Sequence, residues 1–382
     1  MHREIIPHVI FSPAKLALSL SEGLETLGAK VTLFTPGPVD TSVLNLNADL
    51  SMFEHELSLR GDSYTDLLKK HPFTFITLAR QVQAELIAKA YAMANDAKLD
   101  LIHIYTNEED LALSFAQLCT KPVVFTHHDP FNFMVKYKNV FPKYAALNWI
   151  SMSYAQRQGM PAGTNWVGNV YHGINDERLT PVDSPSGDYV AYLGRIIQPK
   201  GLHLAIQAVQ QYNRSADTPV TLKIGGKHYA GHMKDTYWQE QIQPHLEDIY
   251  IEYVGFVGPE DRQQFLGNAR ALLVPSLFDE PFGLVTIEAL ACGTPAIGLN
   301  SGALPEVIED GRTGEIVYKK FLPDGSIDDS ATAQGLIDAL SHISKIDRRA
   351  CRKAFEETFT AERMCEEHLA IYERLTQLRD RS

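Results

Sequence analysis

The sequence predicts a parallel α/β protein built from two doubly wound, Rossmann-like domains. Three observations lead there. Short apolar runs rich in β-branched residues alternate with longer segments of helical period. The alternation breaks at residues 168–181 into Gly, Asn, Asp and Pro, which reads as a hinge, and then restarts. The chain, at 382 residues, is too long for one ordinary core and short for three.

In the first half the expected strands are residues 31–35, 101–105, 123–126 and 149–151, with helices near 13–27 and 75–94. In the second half the expected strands are 189–193, 220–224, 249–254, 271–274 and 296–299. Helices are expected between them near 202–212, 234–246, 259–268 and 284–291. From Ala331 the chain is charged and helical to its end. The expected division is residues 1–172, 173–360 and a terminal helical segment, 361–382. Two such domains facing a cleft place the carboxyl ends of their strands, where parallel sheets bind ligands, on one rim.

Hydrophobic residues make up 45% of the chain and charged residues 21%, as in ordinary globular proteins. The net charge of −12 repels a phosphate backbone and speaks against general nucleic-acid binding. A local cation cluster still holds a small anion at contact range. The four cysteines show no CxxC pairing and no zinc spacing, and no apolar run is long enough to span a bilayer. The expectation is a reduced, cytoplasmic protein.

Six loops, falling into five groups, carry chemistry, each at the end of an expected strand. The first runs from Pro275 through Glu280, Phe282, Gly283 and Leu284 to Glu288. Glycine beside a helix start lets backbone N–H groups approach a ligand, and the helix dipole favours anions there. Glu288, just over one turn in, can accept hydrogen bonds from vicinal hydroxyls. On spacing alone, two glutamates eight apart also fit a plain helix start with a solvated face. The second loop, Gly194 to Gly201, sets Arg195 and Lys200 five apart, which suits a diphosphate, though two solvated surface cations would look the same. It is not a Walker A loop, because the GKS/T ending is missing.

The third loop has Thr126, His127, His128 and Asp129, where a histidine at a strand end can orient a substrate hydroxyl or simply bond to backbone. Adjacent side chains on extended backbone diverge, so a metal site is not expected. The fourth group is Gly225-Gly226 and Gly255-Phe256, whose glycines allow close approach to a base or ribose or merely make tight turns. The fifth, Asn300 to Glu306, also reads as a turn and helix cap.

Taken in order, these residues resemble family 4 of the retaining glycosyltransferases, which have the two-domain GT-B fold. The likeness is dense over residues 190–314 and thinner across the first 175. Glu280 and Glu288 match the family's E-x7-E motif inside a P-S-x-x-x-E-P-F-G-L setting. The resemblance implies that Glu288 binds the donor's ribose hydroxyls, that Glu280 faces the transferred sugar, and that Arg195 and Lys200 meet the donor phosphates. Backbone amides of Phe282, Gly283 and Leu284 would hold sugar hydroxyls or the distal phosphate. Gly255-Phe256 would line the base, with Gly225-Gly226 beside it. His128 matches the histidine beside the donor sugar, and His127 is its neighbour. The terminal helix, about residues 361–378, would cross back onto the first domain. Relatives begin with a strand and a Gly-Gly loop; that pair falls here near Phe11-Ser12, so the first strand is missing, shortened or replaced near residues 5–10.

The implied activity is metal-independent transfer of a hexose from a nucleotide-diphosphate sugar, UDP-sugar first and GDP-sugar next, to a glycan, lipid or small-molecule hydroxyl, with no cofactor. The rivals are another GT-B enzyme, a phosphorylase or epimerase, and a degenerate member that binds nucleotide sugars without turnover. A phosphorylase needs a cofactor lysine, for which no candidate stands out. Residues 131–144 interleave lysines with aromatics, which fits either weak peripheral membrane contact or a helix that buries its aromatics in the protein.

Overall fold

The computed structural model describes residues 12–105, 109–175, 177–228 and 235–380. Residues 5–10, where the first strand was read as missing, shortened or replaced, and Phe11 lie outside them. The chain divides into two compact units. The first comprises Met1–Met152, Arg157–Gly173 and Ala361–Ser382; the second comprises Ser153–Gln156 and Ile174–Thr360.

The first unit contains β1 (Thr32–Thr35), β2 (Leu44–Asn47), β3 (Ile102–Ile104), β4 (Val123–Phe125), β5 (Asn148–Ser151) and β6 (Trp166–Asn169). All pairings are parallel, and the described residues form two sheets, β1-β2 and β3-β4-β5-β6. The run Val123-Val124-Phe125 is fully buried, which explains its unbroken apolar character. Helix Ser12–Thr26 buries Leu16, Leu20 and Leu24, spaced four apart on one face. Leu20 and Leu24 join Met364, Cys365 and Ile371 of the terminal helix Ala361–Asp380 in one cluster with Val124 and Ile150.

The second unit holds β7 (Tyr189–Leu193), β8 (Thr221–Gly225), β9 (Ile251–Gly255), β10 (Leu272–Val274), β11 (Ala296–Leu299) and β12 (Gly314–Val317). They form one parallel sheet in the order β12-β11-β10-β7-β8-β9. Strand order therefore reverses between β7 and β10, which is the switch point of a Rossmann sheet. Helix Leu202–Ser215 buries Leu202, Ala205, Ile206 and Val209 against this sheet, and helix Asp329–His342 adds Ala333, Leu336 and Leu340.

The parallel α/β class in two units that the sequence predicts is the class observed. Several local expectations need correction. β2, β6 and β12 were not expected. β6 lies partly inside the stretch read as a hinge, because Trp166 and its neighbours pair with β5. Residues 235–246 do not form the regular helix expected near 234–246: a π-helical turn at Trp238–Ile242 passes into a 3₁₀ turn at Gln243–Glu247. Pro244 removes an N–H there and breaks the α ladder. Ser153–Gln156 belongs to the second unit rather than the first. Glu306 explains this by accepting the Tyr154 and Ala155 N–H groups at 2.8 and 2.6 Å, while Ser153 Oγ donates to Pro281 O at 2.8 Å.

Candidate functional site

At the switch point the chain leaves β7 into Gly194–Gly201 and leaves β10 into Pro275–Gly283. Leu277 N donates to Pro199 O at 2.8 Å, so the two loops are bound to each other. Gly201 has φ +66°, and a Cβ there would lie 2.0 Å from Pro275 O; the approach admits glycine alone.

Glu280 sits on the second loop, 5% exposed. Its Oε1 accepts Lys200 Nζ at 2.5 Å and Ser276 Oγ at 2.5 Å. Its carbonyl accepts Ala303 N at 2.8 Å, and Ser301 Oγ donates to Ser276 O at 2.6 Å. A carboxylate this far from water requires such partners, since an uncompensated buried charge is strongly destabilising. Lys200 is held from a second side by the Phe278 ring, 4.7 Å from Nζ. Arg195, on the same loop as Lys200, is exposed, and its carbonyl accepts the Tyr192 hydroxyl at 2.8 Å.

Beyond Glu280, Phe282 is buried against Phe359, with ring centroids 6.0 Å apart. That anchors the turn into helix Leu284–Ala291, whose N-cap is Gly283 at φ +104°. First-turn amides of a helix have no intrahelical acceptor, so the backbone at Gly283 and Leu284 presents donors and the positive dipole end. Thr286, in that turn, is fully buried, and its hydroxyl has no hydrogen-bond partner among the described residues. Glu288 Oε1 is paired with the Arg262 guanidinium.

On the other flank, Gly194 N donates to Gly225 O at 3.0 Å and Gly226 N to Gly255 O at 2.8 Å. The carboxyl ends of β7, β8 and β9 are thus drawn level. Phe256 is half exposed, with Lys227 Nζ 4.3 Å above its ring.

In the first unit, the two histidines after β4 point apart. His127 is fully buried among Phe131, Tyr137 and Phe141, and its Nδ1 lies 3.0 Å from Glu109 Oε1. Burial pushes the Glu109 carboxyl up, against the pull of His127. His128 instead packs edge-on to Tyr105 at 4.4 Å and stacks on His172 at 5.4 Å. Burial, and then the neighbouring His172, holds His128 well below the ordinary histidine range. Its Nε2 is buried with no hydrogen-bond partner among the described residues. A neutral imidazole of this kind can donate to or accept from a ligand hydroxyl.

The structure therefore brings Lys200, Glu280, Gly283, Glu288, Gly225, Gly226, Gly255 and Phe256 to the carboxyl end of one sheet, with Arg195 in the same loop as Lys200. Among the described residues no three His, Cys, Asp or Glu side chains are grouped to hold a metal ion. Sequence reasoning missed Ser276, Arg262 and Ser301. Ser276 was legible as the polar residue four before Glu280 on a buried loop; Arg262 carried no signal, being 26 residues from the acid it pairs with. Of the apolar side chains in residues 131–144, the aromatics Phe131, Tyr137 and Phe141 are buried, whereas Phe133, Met134 and Val135 are exposed. No helix of the described residues is long and apolar enough to cross a membrane.

Residues 182–342 match the family model "Glycosyl transferases group 1". The chain is 27% identical over 188 residues to spore coat protein SA of Bacillus subtilis, covering 48% of each. It is 30% identical over 162 residues to O-antigen chain mannosyltransferase B of Escherichia coli, covering 40% of this chain and 41% of the relative. In these matches the chain spans less than half the length of the curated relatives. The fold is similar to that of Anabaena HepE solved with UDP-glucose, with a TM-score of 0.66, 16% identity and 97% of both chains covered. The chain thus has the GT-B fold, and its second unit carries the glycosyl transferases group 1 match across the switch-point loops.

Proposed function

We propose that this protein is a metal-independent, retaining hexosyltransferase of family 4, using a nucleotide-diphosphate sugar as donor and a hydroxyl of a glycan, lipid or small molecule as acceptor. A UDP-sugar is the favoured donor and a GDP-sugar the next. One observation carries the reading: the Lys200–Glu280 pair, its carboxylate buried, stands at a Rossmann switch point, beside a glycine-started helix that bears Glu288. The family match over residues 182–342 supports the same assignment.

In this reading Glu288 takes the ribose hydroxyls and Gly255-Phe256 lines the base, with Gly225-Gly226 allowing close approach. Lys200, Arg195 and the amides of Phe282, Gly283 and Leu284 meet the diphosphate and sugar hydroxyls. Glu280 faces the sugar, and His128 takes the part of the family's sugar-side histidine. The bond between the anomeric carbon and the diphosphate oxygen breaks first. The acceptor oxygen then bonds to the same face of the sugar, and its proton passes to the departing diphosphate. The cations matter because negative charge grows on the leaving group as that bond lengthens.

We place the reaction in the cytoplasm, where the four thiols, free in this structure, stay reduced. Weak peripheral membrane contact, if the acceptor is a lipid, falls to Phe133, Met134 and Val135, and failure to sediment with anionic liposomes at low salt removes it. The deciding measurement is nucleotide release from a panel of UDP-, GDP- and ADP-sugars, with and without acceptors, in the presence of EDTA. Release of one nucleotide and an anomeric configuration kept in the product are expected. Inversion would refute the retaining mechanism, chelator sensitivity the metal independence, and tight donor binding without release the activity itself.

A further inference from the structure

We infer that Arg262 is the positioning residue for Glu288 and makes nucleotide recognition depend on the ribose hydroxyls, an inference that rests on the donor reading above. Glu288 is a carboxylate with a side chain only 15% exposed. Its own helix, Leu-Val-Thr-Ile-Glu-Ala-Leu-Ala, offers no cation. The compensating charge comes from helix Pro259–Gly267, which begins four residues after β9. From there the Arg262 guanidinium, itself 22% exposed, reaches Glu288 Oε1. Glu260, two residues before Arg262, pairs instead with Arg178 at 2.5 Å.

Two consequences follow from this geometry. The first is orientation. A carboxylate has about four acceptor positions, and a guanidinium N–H on one oxygen restricts how the group turns. A carboxylate held in this way can accept two hydroxyls at the spacing of a vicinal diol, whereas a freely rotating one must lose rotamer freedom to do so. Arg262 also carries Nε, a buried donor with no partner among the described residues.

The second consequence is charge. A nucleoside diphosphate is an anion, and two bare glutamates would repel it. Each acid here is neutralised by a cation from another element, Glu280 by Lys200 and Glu288 by Arg262. Without Arg262, the Glu288 carboxylate would repel the anionic nucleotide.

The test is titration calorimetry on the full chain with UDP, 2′-deoxy-UDP and 3′-deoxy-UDP, or with the guanosine series if GDP binds more tightly. Wild type should bind each deoxy analogue about tenfold more weakly than the parent, since the site's polar groups are then left unpaired. Arg262→Ala should weaken UDP about tenfold and cut the parent-to-deoxy ratio below about threefold, while Arg262→Lys recovers part of both. In turnover the loss should appear in donor KM and leave kcat at saturating donor little changed. Because the ratio is measured within one variant, it is insensitive to a partial loss of folded protein; Arg262→Gln replaces the alanine variant if that one does not fold. An unchanged deoxy ratio in a folded Arg262 variant overturns the inference. Wild type binding no nucleoside diphosphate would refute the donor reading instead, before any variant is made.

Discussion

Glu280 is a buried acid on the switch-point loops. Its carboxylate is 5% exposed and holds a lysine from one loop and a serine from its own. Lys200 and Arg195 were read from sequence as an equivalent pair, yet their surroundings differ. Lys200 is paired and partly buried, whereas Arg195 is exposed. Removing either should lower kcat by about 100- to 1000-fold, the loss of about 3–4 kcal/mol typical of a fixed donor to developing charge. Only Lys200→Ala should also lower the melting temperature, because it strands a buried carboxylate. Steady-state kinetics with parallel thermal melts will separate the two; loss confined to acceptor KM in both variants would refute the leaving-group role.

At the scale of elements, the loops are shaped by backbone contacts as much as by side chains. Gly302 has φ +56°, and a Cβ there would stand 2.2 Å from Glu280 O and 2.5 Å from Glu280 N. Gly302→Ala should therefore displace the loop that carries Glu280, cost about 2–4 kcal/mol of stability and depress kcat. Gly311, at φ +74° with nothing within 4 Å of its added Cβ, is the matched control. Gly311→Ala should cost only about 1 kcal/mol, from the strained φ alone, and leave kcat unchanged. Equal losses of activity in both would mean that the 301–303 segment does not position the acid. The helix Leu284–Ala291 and strands β7 and β11 were legible because their apolar runs are bounded by Gly and Pro. The missed strands were not: β6 reads Trp-Val-Gly-Asn, β2 reads Leu-Asn-Leu-Asn and β12 reads Gly-Glu-Ile-Val, short mixed runs that become strands only by pairing with a neighbour.

For the molecule as a whole, the first unit should be sensitive to acid. His128, His172 and His368 are 9%, 3% and 2% exposed, and burial is the first cause of a lowered pKa in each. His172 is held down to about 3 and His368 to about 4, against an ordinary 6.5. These groups are neutral in the folded chain but protonate in the unfolded chain below about pH 6.5. Stability is therefore unaffected by them above that value and falls as pH drops from about 6.5 toward 4, by about 1 kcal/mol per pH unit for each histidine. Urea melts at pH 7.5, 6 and 5, followed through Trp149 and Trp166 of the first unit, should show this slope. The slope should shrink in His368→Gln, and a flat profile would mean that the histidines are solvated.

By itself the sequence determined the fold class, the switch-point loops and the identities of the acids and cations on them. It could do so because strand, glycine turn and helix start are local patterns, each readable within about ten residues. Only the tertiary structure decided which charges meet. Lys200 finds Glu280 across 80 residues, Arg262 finds Glu288 across 26, and Glu306 finds the amides of Tyr154 and Ala155 across some 150. A single chain does not encode such pairings as a pattern, because they arise when strands distant in sequence are laid side by side and their loops are forced to share one desolvated rim.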